Sequence, residues 1–499
     1  MDTLSQLVVG LQIALQPMNF FYCFIGVFLG TLIGVLPGIG PLGGIALLLP
    51  LTYGLNTTTA IILLAGIFYG AQYGGSTTSI LINIPGEASS IVTCLDGHQM
   101  ALQGRAGPAL GIAAFGSFIA GTLGVIGLML IAYPLSKLAL KLGPPEFFAL
   151  MTLGIIVVTS ISRGSFLKSA MMAAVGYLLS FIGIDPVEGN VRFTFGTIYL
   201  TSGLDIAPLV IGLFGISEVL ASLEETANLS VVEMKRKLRS FLPTSKDWKV
   251  SIIPIFRGTI VGFLIGLIPG GGVILASFSS YAVEKRCSRH PEKFGKGAIE
   301  GVAGPESANN AASSACFIPL FSLGLPSNII TAMLLGAMMI HGVQPGPLFI
   351  AEHGTVFWGV VASMYIGNIM LLILNLPLIP LWVQVLKIPR KVLLPVILLL
   401  CTLGSYSVNN NILDVFVMVL FGFVGYVLRK LQYEVAPICL GFVLGPLTEN
   451  SFRQSLIISN GSFMVFVTRP ITAVIISFTI LLLAYSVYRG TKFPGFELE

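Results

Sequence analysis

Charged side chains are scarce in this 499-residue sequence, in which Asp, Glu, Lys and Arg together make up 10%. Soluble proteins carry roughly 25% charged residues, and no residue of these four kinds occurs from Thr3 to Gly86. A stretch of that length without charge cannot form the surface of a soluble domain. The mean hydropathy of +0.92 agrees with this exclusion. Because one membrane-spanning helix needs about 20 apolar residues, we expect an all-α polytopic membrane protein with about 12 transmembrane segments.

Signatures of enzymes are also missing. The sequence has no G-x-x-x-x-G-K-[ST] phosphate loop, no G-x-S-x-G nucleophile turn and no H-E-x-x-H zinc motif. Its cysteines are scattered without a C-x-x-C pair, which argues against a metal site built on cysteine. We therefore expect no catalysis, no ATP hydrolysis and no resident cofactor. The net charge of +5 does not indicate nucleic acid as a partner, because the basic residues lie in short loops between apolar runs, as in membrane proteins.

The longest polar interruption runs from Glu225 to Lys249 and contains six basic residues. Basic loops lie on the cytoplasmic side of a membrane protein, so we place this stretch in the cytoplasm. The chain is then predicted to comprise a first transmembrane repeat (1–224), a cytoplasmic basic linker (225–250), a second transmembrane repeat (251–430) and C-terminal transmembrane segments (431–499).

Two segments share one pattern: "GTLIGVLPGIGP" begins at Gly30, and "GFLIGLIPGGGV" begins at Gly262. Each places Pro-Gly-x-Gly at the end of an apolar run, and proline breaks a helix because it lacks an amide donor. Corresponding interrupted segments in two halves are typical of transporters, whose broken helices form the substrate site.

The interval 251–283 lies between two basic stretches and is shorter than the about 40 residues that two full spans need. We therefore expect broken or re-entrant helical hairpins.

The orientation of the two copies is predicted from the charges beside them. The first copy follows a segment without basic residues, whereas the second follows a strongly basic loop. Entry from opposite sides would make the pair an inverted repeat. The spacing of Gly30 from Gly34 and of Gly262 from Gly266 also fits close helix packing through small residues, and both interpretations of these glycines stay open.

A dense polar cluster follows each break. The first lies in "YGGSTTSILINIPGE" (Tyr73 to Glu87), and the second lies in "GPESANNAASSACFIPLFSLGLPSN" (Gly304 to Asn328). Hydrogen bonding between helices explains scattered Ser, Thr and Asn residues, but two clusters beside helix breaks favour a ligand site. The free N–H groups and positive dipole of a restarting helix bind anions, and unwound carbonyl groups can hold sodium.

These considerations predict a carboxylate-binding site without a fixed cation. The candidate substrate-binding residues are Pro37, Gly38, Gly40, Ser76, Thr77, Thr78, Asn83, Pro269, Gly270, Gly272, Ser307, Asn309, Asn310, Ser313, Pro326 and Ser327. No metal site is assigned, although a sodium ion would find oxygen ligands near Asn310 and Ser79. Glu87, Asp96 and Glu306 are able to relay protons if they lie within the membrane. We expect them instead at membrane interfaces or in loops.

Five motifs, in order, resemble the large membrane subunit of bacterial tripartite tricarboxylate transporters. They are "GTLIGVLPGIGP", "YGGSTTSILINIPGE", "DGHQMALQGRAGPALGIAAFGSFIAG", "GIDPVEGNVRFTFG" and "GPESANNAASSACFIPLFSLGLPSN". The resemblance implies a multi-pass secondary transporter of the bacterial cytoplasmic (inner) membrane. It also implies two partners, a small membrane subunit and a periplasmic substrate-binding protein. The expected cargo is a tricarboxylate or related carboxylate, and the expected driving force is a sodium or proton gradient.

Two departures from the pattern bear on the ligand. The second break has "PGGG" where the first has "PGIG", and "GLPSN" stands where members of this family often have a turn similar to "GIPG". The identity of the carboxylate and of the coupling ion therefore stays open. The alternative function is a passive anion channel subunit, which would conduct without a coupled ion.

Overall fold

The computed structural model describes residues 3–36, 40–161, 165–185, 187–224, 241–268, 272–385 and 390–492. These residues are mostly helical, and the only strands among them are β1 (Gly183–Ile184) and β2 (Val191–Arg192), which pair antiparallel. The all-α prediction is therefore confirmed. Helices of the first half are α1 (Thr3–Ala14), α2 (Pro17–Val35), α3 (Gly40–Leu48), α4 (Thr57–Ile82), α5 (Ile91–Thr93), α6 (Ala106–Ala139), α7 (Pro144–Ile161), α8 (Phe166–Ser180), α9 (Ile206–Val210) and α10 (Ser217–Glu224).

The second half contains twelve further described helices. They are α11 (Ser245–Gly266), α12 (Gly272–Cys287), α13 (Glu300–Ala315), α14 (Phe317–Leu323), α15 (Ile329–Ile340), α16 (Phe349–Glu352), α17 (Gly354–Val385), α18 (Arg390–Asn409), α19 (Ile412–Lys430), α20 (Ala436–Ile458), α21 (Val465–Thr468) and α22 (Pro470–Lys492). Short π-helical and 3-10 turns connect several of these elements, including α5 with α6 and α9 with α10.

Seven described helical segments are long and apolar enough to cross a membrane, judged by length and composition. They are Pro17–Val35, Ala101–Ala139, Ile206–Glu224, Ser245–Gly266, Gly354–Val385, Ile412–Lys430 and Pro470–Tyr488. Apolar helices of 10–17 residues add further candidates. A multi-pass membrane protein is therefore supported. The count of about 12 crossings stays a prediction, because hydropathy does not decide which shorter helices cross.

Glycine contacts fasten a helix pair in each half. A methyl group added to Gly26, Gly30 or Gly34 of α2 would lie 2.2–2.6 Å from a carbonyl oxygen of α4, contributed by Leu63, Ile67 and Ala71 respectively. The same collision occurs between α11 and α13, where Gly258, Gly262 and Gly266 face the carbonyl oxygens of Gly304, Ala308 and Ala312 at 2.1–2.6 Å. The helix-packing interpretation of these glycines is therefore confirmed.

These two helix pairs correspond residue by residue. The glycines of α11 follow those of α2 by 232 positions, and their partners on α13 follow those on α4 by 241 positions. The offset of 241 continues into the next turn. There Asn83, the C-cap residue directly after α4, has φ 57°, and Gly324, the C-cap residue directly after α14, has φ 69°. Asn and Gly are the residues that best tolerate this left-handed conformation.

The following helix start is capped alike in both halves. Glu87 forms a capping box with Ser90, and Asn328, again 241 positions later, forms one with Thr331. Such reciprocal bonds satisfy the free N–H groups of a helix start. The internal repeat is thus visible in backbone contacts, turn conformation and caps, whereas its inverted orientation in the membrane stays a prediction.

The two helix breaks stand where the sequence predicts them. In the first half α2 ends at Val35 and α3 begins at Gly40, and in the second half α11 ends at Gly266 and α12 begins at Gly272. Both restarting glycines have positive φ angles, 62° and 59°. Residues 37–39 and 269–271 lie outside the described part of the chain, and with them the candidate site residues Pro37, Gly38, Pro269 and Gly270.

The second hairpin is longer than the interval 251–283. Its first helix, α11, begins at Ser245 because Thr244 and Asp247 form a capping box within the polar stretch. With 22 residues, α11 reaches about 33 Å, enough to span a bilayer. Arg257 of α11 binds Glu284 of α12 through two N–H donors, at 2.7 and 2.6 Å. The ion pair joins both helices of the hairpin.

The predicted division of the chain at 225–250 stays a prediction, since 225–240 lies outside the described residues.

The motif "GIDPVEGNVRFTFG" forms the hairpin of β1 and β2, which an ionic network fixes to α20. Asp185, only 3% exposed, accepts hydrogen bonds from Arg192 and from Arg453, the latter at 2.8 Å. Arg192 also donates to Glu449 at 2.9 Å. The carboxylates and arginines that this motif brings together therefore stabilise the fold.

Replacing Gly262 by leucine tests the backbone contact between α11 and α13. We expect a clearly lower midpoint of thermal unfolding in detergent, because overpacking costs about 1–3 kcal/mol or more. The control is Gly354→Ala at the start of α17, where an added methyl group meets nothing within 4 Å. Equal midpoints for Gly262→Leu and the wild type would contradict the predicted contact.

Candidate functional site

A buried polar network lies between the two repeats, and Glu306 is its first centre. This residue of α13 is 1% exposed. Ser76 of α4 donates its hydroxyl to Glu306 Oε2 at 2.6 Å, and Thr93 of α5 donates to Glu306 Oε1. Three helices, two from the first repeat and one from the second, therefore meet at one carboxylate.

Glu87 is the second centre of the network and is 7% exposed. Its carboxylate accepts hydrogen bonds from the backbone N–H and the hydroxyl of Ser89. It also accepts a hydrogen bond from Asn309 Nδ2 of α13 at 3.1 Å. Turned so that its amide nitrogen faces the carboxylate, Gln72 donates to Glu87 Oε1 at 2.6 Å and to Asn309 Oδ1 at 2.8 Å. Glu87 thus caps a helix start and binds the opposite repeat at the same time.

The network contains acids but no base. Among the described residues, no Lys, Arg or His forms an ion pair with Glu87 or Glu306. All direct partners of the two carboxylates are hydroxyl, amide or backbone N–H groups. An ionised carboxylate in such a place is costly unless a proton or a cation accompanies it.

A cleft opens next to this network. It is small, and α4, α6 and α17 form its walls. In this conformation the cleft has room for about one water molecule, so a carboxylate would enter only after it widens. Three residues with hydroxyl groups line the cleft, namely Ser76, Thr77 and Ser117. Asn310 of α13 donates to Ser117 Oγ at 2.8 Å. Ser76 therefore belongs both to the cleft wall and to the hydrogen-bond network of Glu306.

The predicted site residue Ser307 carries a buried hydroxyl without a hydrogen-bond partner among the described residues, whereas the buried hydroxyl of Ser327 lies against the thiol of Cys316. Both are 0% exposed. The Ser307 hydroxyl faces Gly116 of α6, next to the cleft residue Ser117. Ser327 follows Pro326 and lies beside the start of α12, with its carbonyl oxygen 3.9 Å from an ideal methyl position on Gly272. Buried polar groups normally have partners, so the Ser307 hydroxyl is a candidate ligand contact.

The remaining predicted residues have structural partners. Thr78 donates to the carbonyl oxygen of Val35 at the end of α2, and Ser313 donates to that of Asn309 within α13. Asn83 ends α4, and Gly40 begins α3. Ser79 bonds with Ser90 and Asn310 bonds with Ser117, so the two residues suggested for sodium have separate partners. The predicted residues thus divide into a network beside the cleft and a set that shapes the helices.

The expectation that the three carboxylates lie in loops or at membrane interfaces is wrong in its first part for Glu306, which lies in a helix, and the position of Glu306 relative to the membrane interface stays a prediction. The sequence "GPESANN" has the Gly, Pro and Asn content of a loop, but α13 incorporates it because tertiary burial overrides weak helix propensity. Glu87 does lie in the turn after α4, yet that turn is buried. Asp96 accepts the N–H groups of Gly295, Gly297 and Ala298 at 2.8–2.9 Å, so it anchors the loop before α13.

Sequence reasoning omitted four members of the network, namely Gln72, Ser89, Thr93 and Ser117, and it considered Glu87 and Glu306 only as possible proton relays that it expected in loops or at membrane interfaces. Helical periodicity would have found Gln72, which precedes Ser76 by four residues and therefore shares its face of α4. Thr93 and Ser117 lie in segments that the sequence does not connect with either break, and only tertiary packing brings them to the site.

Comparisons with known proteins agree with the resemblance of the motifs. Residues 20–440 match the tripartite tricarboxylate transporter TctA family. An uncharacterized 52.8 kDa protein in the TAR-I ttuC' 3' region of Agrobacterium vitis is 50% identical over 473 residues, which cover 95% of this chain and 94% of that protein. An uncharacterized protein in the TAR-II ttuC' 3' region of the same organism is 54% identical over 212 residues, 42% of this chain and 88% of that protein.

No solved structure matches this chain. The family match extends across both helix breaks and the whole polar network, and the first relative aligns along nearly the full length of both proteins. The chain therefore belongs to the tripartite tricarboxylate transporter TctA family.

Proposed function

We propose that this chain is the large transmembrane subunit of a binding-protein-dependent secondary transporter. It imports tricarboxylates or related carboxylates through the bacterial cytoplasmic membrane, and a sodium or proton gradient drives the import. Its partners are a small membrane subunit and a periplasmic substrate-binding protein. Family membership supports the role of large subunit, and the long apolar helices support the membrane location.

One observation carries the coupled mechanism: the network beside the cleft holds two carboxylates and no base. Two like charges 4 Å apart repel by about 4 kcal/mol at an effective dielectric constant of about 20. An anionic cargo therefore approaches these carboxylates only when protons or cations neutralise them. A passive anion channel would instead present positive groups along its pathway, so the charges favour the transporter over the channel.

The groups that would hold the cargo are uncharged donors. The starts of α3 and α12 are helix N-termini, whose free N–H groups and dipole attract carboxylates. The unpartnered hydroxyl of Ser307 adds one donor, and Ser327 lies beside the start of α12. The residues of the breaks themselves, from Pro37 and Pro269 onward, stay predicted contacts.

Reconstitution of all three components into liposomes tests this function. With labelled citrate, malate or succinate outside, an imposed sodium or proton gradient is expected to concentrate at least one acid inside. The gradient supplies the free energy that a passive pore lacks. Liposomes without the gradient serve as the control. Equal final concentrations inside and outside under both gradients would identify a channel and contradict the proposal.

Replacing Asn310 by alanine tests the cleft. The substitution leaves Ser117 without its buried donor, which costs about 1–3 kcal/mol. We therefore expect the initial rate of gradient-driven uptake to fall by about tenfold or more, while the amount of membrane-inserted protein is unchanged. Asn411→Ser at the start of α19 is the control, since serine preserves the cap that Asn411 provides there. Wild-type uptake by the Asn310→Ala variant would remove the cleft from the substrate site.

A further inference from the structure

We propose that Glu306, Ser76 and Thr93 form the binding site of the monovalent cation, sodium or proton, whose entry is coupled to carboxylate import. The proposal rests on the function proposed above and assigns the coupling ion to specific side chains. It differs from the sequence-based suggestion of a sodium site near Asn310 and Ser79, because those two residues bond to separate partners.

The first argument is the way in which the buried carboxylates of this chain are compensated. Four of them pair with arginine: Glu146, Asp185, Asp247 and Glu284. Three others accept at least one N–H bond from the backbone or from an amide side chain: Glu87, Asp96 and Asp414. Among the described residues, Glu306 is the buried carboxylate whose hydrogen bonds come only from hydroxyl groups.

That difference matters because a hydroxyl group can reverse its role. An N–H group or an arginine can only donate, whereas the oxygen of Ser or Thr also carries acceptor lone pairs. When a cation arrives, the hydroxyls of Ser76 and Thr93 can rotate their protons away and present oxygen atoms to it. Together with both oxygens of Glu306, they offer up to four oxygen ligands, the kind that hard cations prefer.

Charge supplies the second argument. Glu306 is 1% exposed and forms no ion pair among the described residues, so its ionised form lacks both water and a counter-charge. Burying such an ion costs several kcal/mol. A bound proton or sodium ion removes this cost. The carboxylate therefore strongly favours the cation-bound state before an anionic cargo enters.

The position of the site relative to the cleft supplies the third argument. Ser76 both lines the cleft and donates to Glu306. The adjacent residue Ser307 carries a fully buried hydroxyl without a partner among the described residues, and it faces the segment of α6 that lines the cleft. A cation at Glu306 would then lie close to a carboxylate in the cleft. Each would raise the affinity of the other by the same factor, as linkage requires.

The ligands also come from both repeats. Ser76 and Thr93 belong to α4 and α5, whereas Glu306 belongs to α13. A bound cation would therefore join the repeats at this point, and its release would leave the hydroxyls of Ser76 and Thr93 as the hydrogen-bond partners of the Glu306 carboxylate among the described residues. Cation occupancy is thus linked to the relative position of the repeats.

Thermal unfolding of the purified subunit in detergent tests cation binding directly. The midpoint is measured against NaCl, with choline chloride as the salt control, at pH 8, and against pH from 8 to 5.5 without sodium. Stabilisation by sodium identifies sodium as the occupant, and stabilisation by acid alone identifies the proton. Glu306→Gln is expected to abolish whichever response the wild type shows. The matched control is Glu300→Gln at the start of the same helix, which is expected to keep it.

Two further variants keep the test decisive if Glu306→Gln does not fold. Ser76→Ala and Thr93→Val retain the carboxylate and remove one oxygen ligand each. If sodium is the occupant, we expect its apparent affinity to fall by about tenfold or more. If the proton is the occupant, we expect its apparent affinity to rise, because each hydroxyl donates to the ionised carboxylate and stabilises it. A wild type that responds to neither cation overturns the proposal. So does a Glu306→Gln variant with the wild-type response, or unchanged cation affinity in both hydroxyl variants.

Transport by the complete three-component system separates this proposal from the function on which it rests. Glu306→Gln is expected to exchange labelled carboxylate for unlabelled carboxylate but to lose gradient-driven concentration. If the wild type concentrates citrate, malate or succinate and Glu306→Gln does so equally, only the cation site is refuted. If the wild type concentrates none of these acids under either gradient, the proposed function fails. The cation-binding measurement on the purified subunit then still decides whether the site exists.

Discussion

The hydrogen bonds from Ser76 and Thr93 to Glu306 are the interaction on which the functional arrangement depends. They hold a carboxylate that is 1% exposed between the two repeats, and no basic side chain among the described residues forms an ion pair with it. In an apolar surrounding, polar groups must find partners within the protein. The polar side chains of α13 find these partners on α4, α5 and α6, so contacts that join the two halves also form the site.

Close glycine contacts fix the position of the two helices within each pair. Backbones of α2 and α4, and of α11 and α13, approach so closely that a methyl group at Gly30 or Gly262 would collide with a carbonyl oxygen. Such contacts permit little sliding within each helix pair. Each pair carries one helix break and one polar face, so break and polar face move as a unit. Relative motion between repeats is then concentrated at the polar network, where hydrogen bonds can exchange partners.

Much of the architecture was predictable from the sequence because the relevant signals are local. The deficit of charge indicates a membrane protein, and the repeated Pro-Gly-x-Gly places both helix breaks, which the described ends of α2 and α11 confirm. The central acids were not predictable. Glu306 stands in a Gly-Pro-rich stretch typical of a loop, and it becomes helical and buried only through contacts with α4, α6 and α11. Thr93 has no local signal at all, since its role arises from packing across 213 residues of sequence.

The repeats agree in backbone but differ in charge. By the offset of 241 positions, the counterpart of Glu306 is Ala65, the counterpart of Ser76 is Phe317, and the counterpart of Glu87 is Asn328. Ala65 and Phe317 are both buried, so the first repeat has apolar packing where the second has a carboxylate. An inverted pair of identical halves would generate two equivalent ion sites. Here the symmetric backbone supplies two related helix breaks, while the unmatched side chains leave one carboxylate held by hydroxyl groups alone. The asymmetry of the side chains therefore favours Glu306 as the place of the proposed coupling cation, even though the fold that positions this residue is repeated.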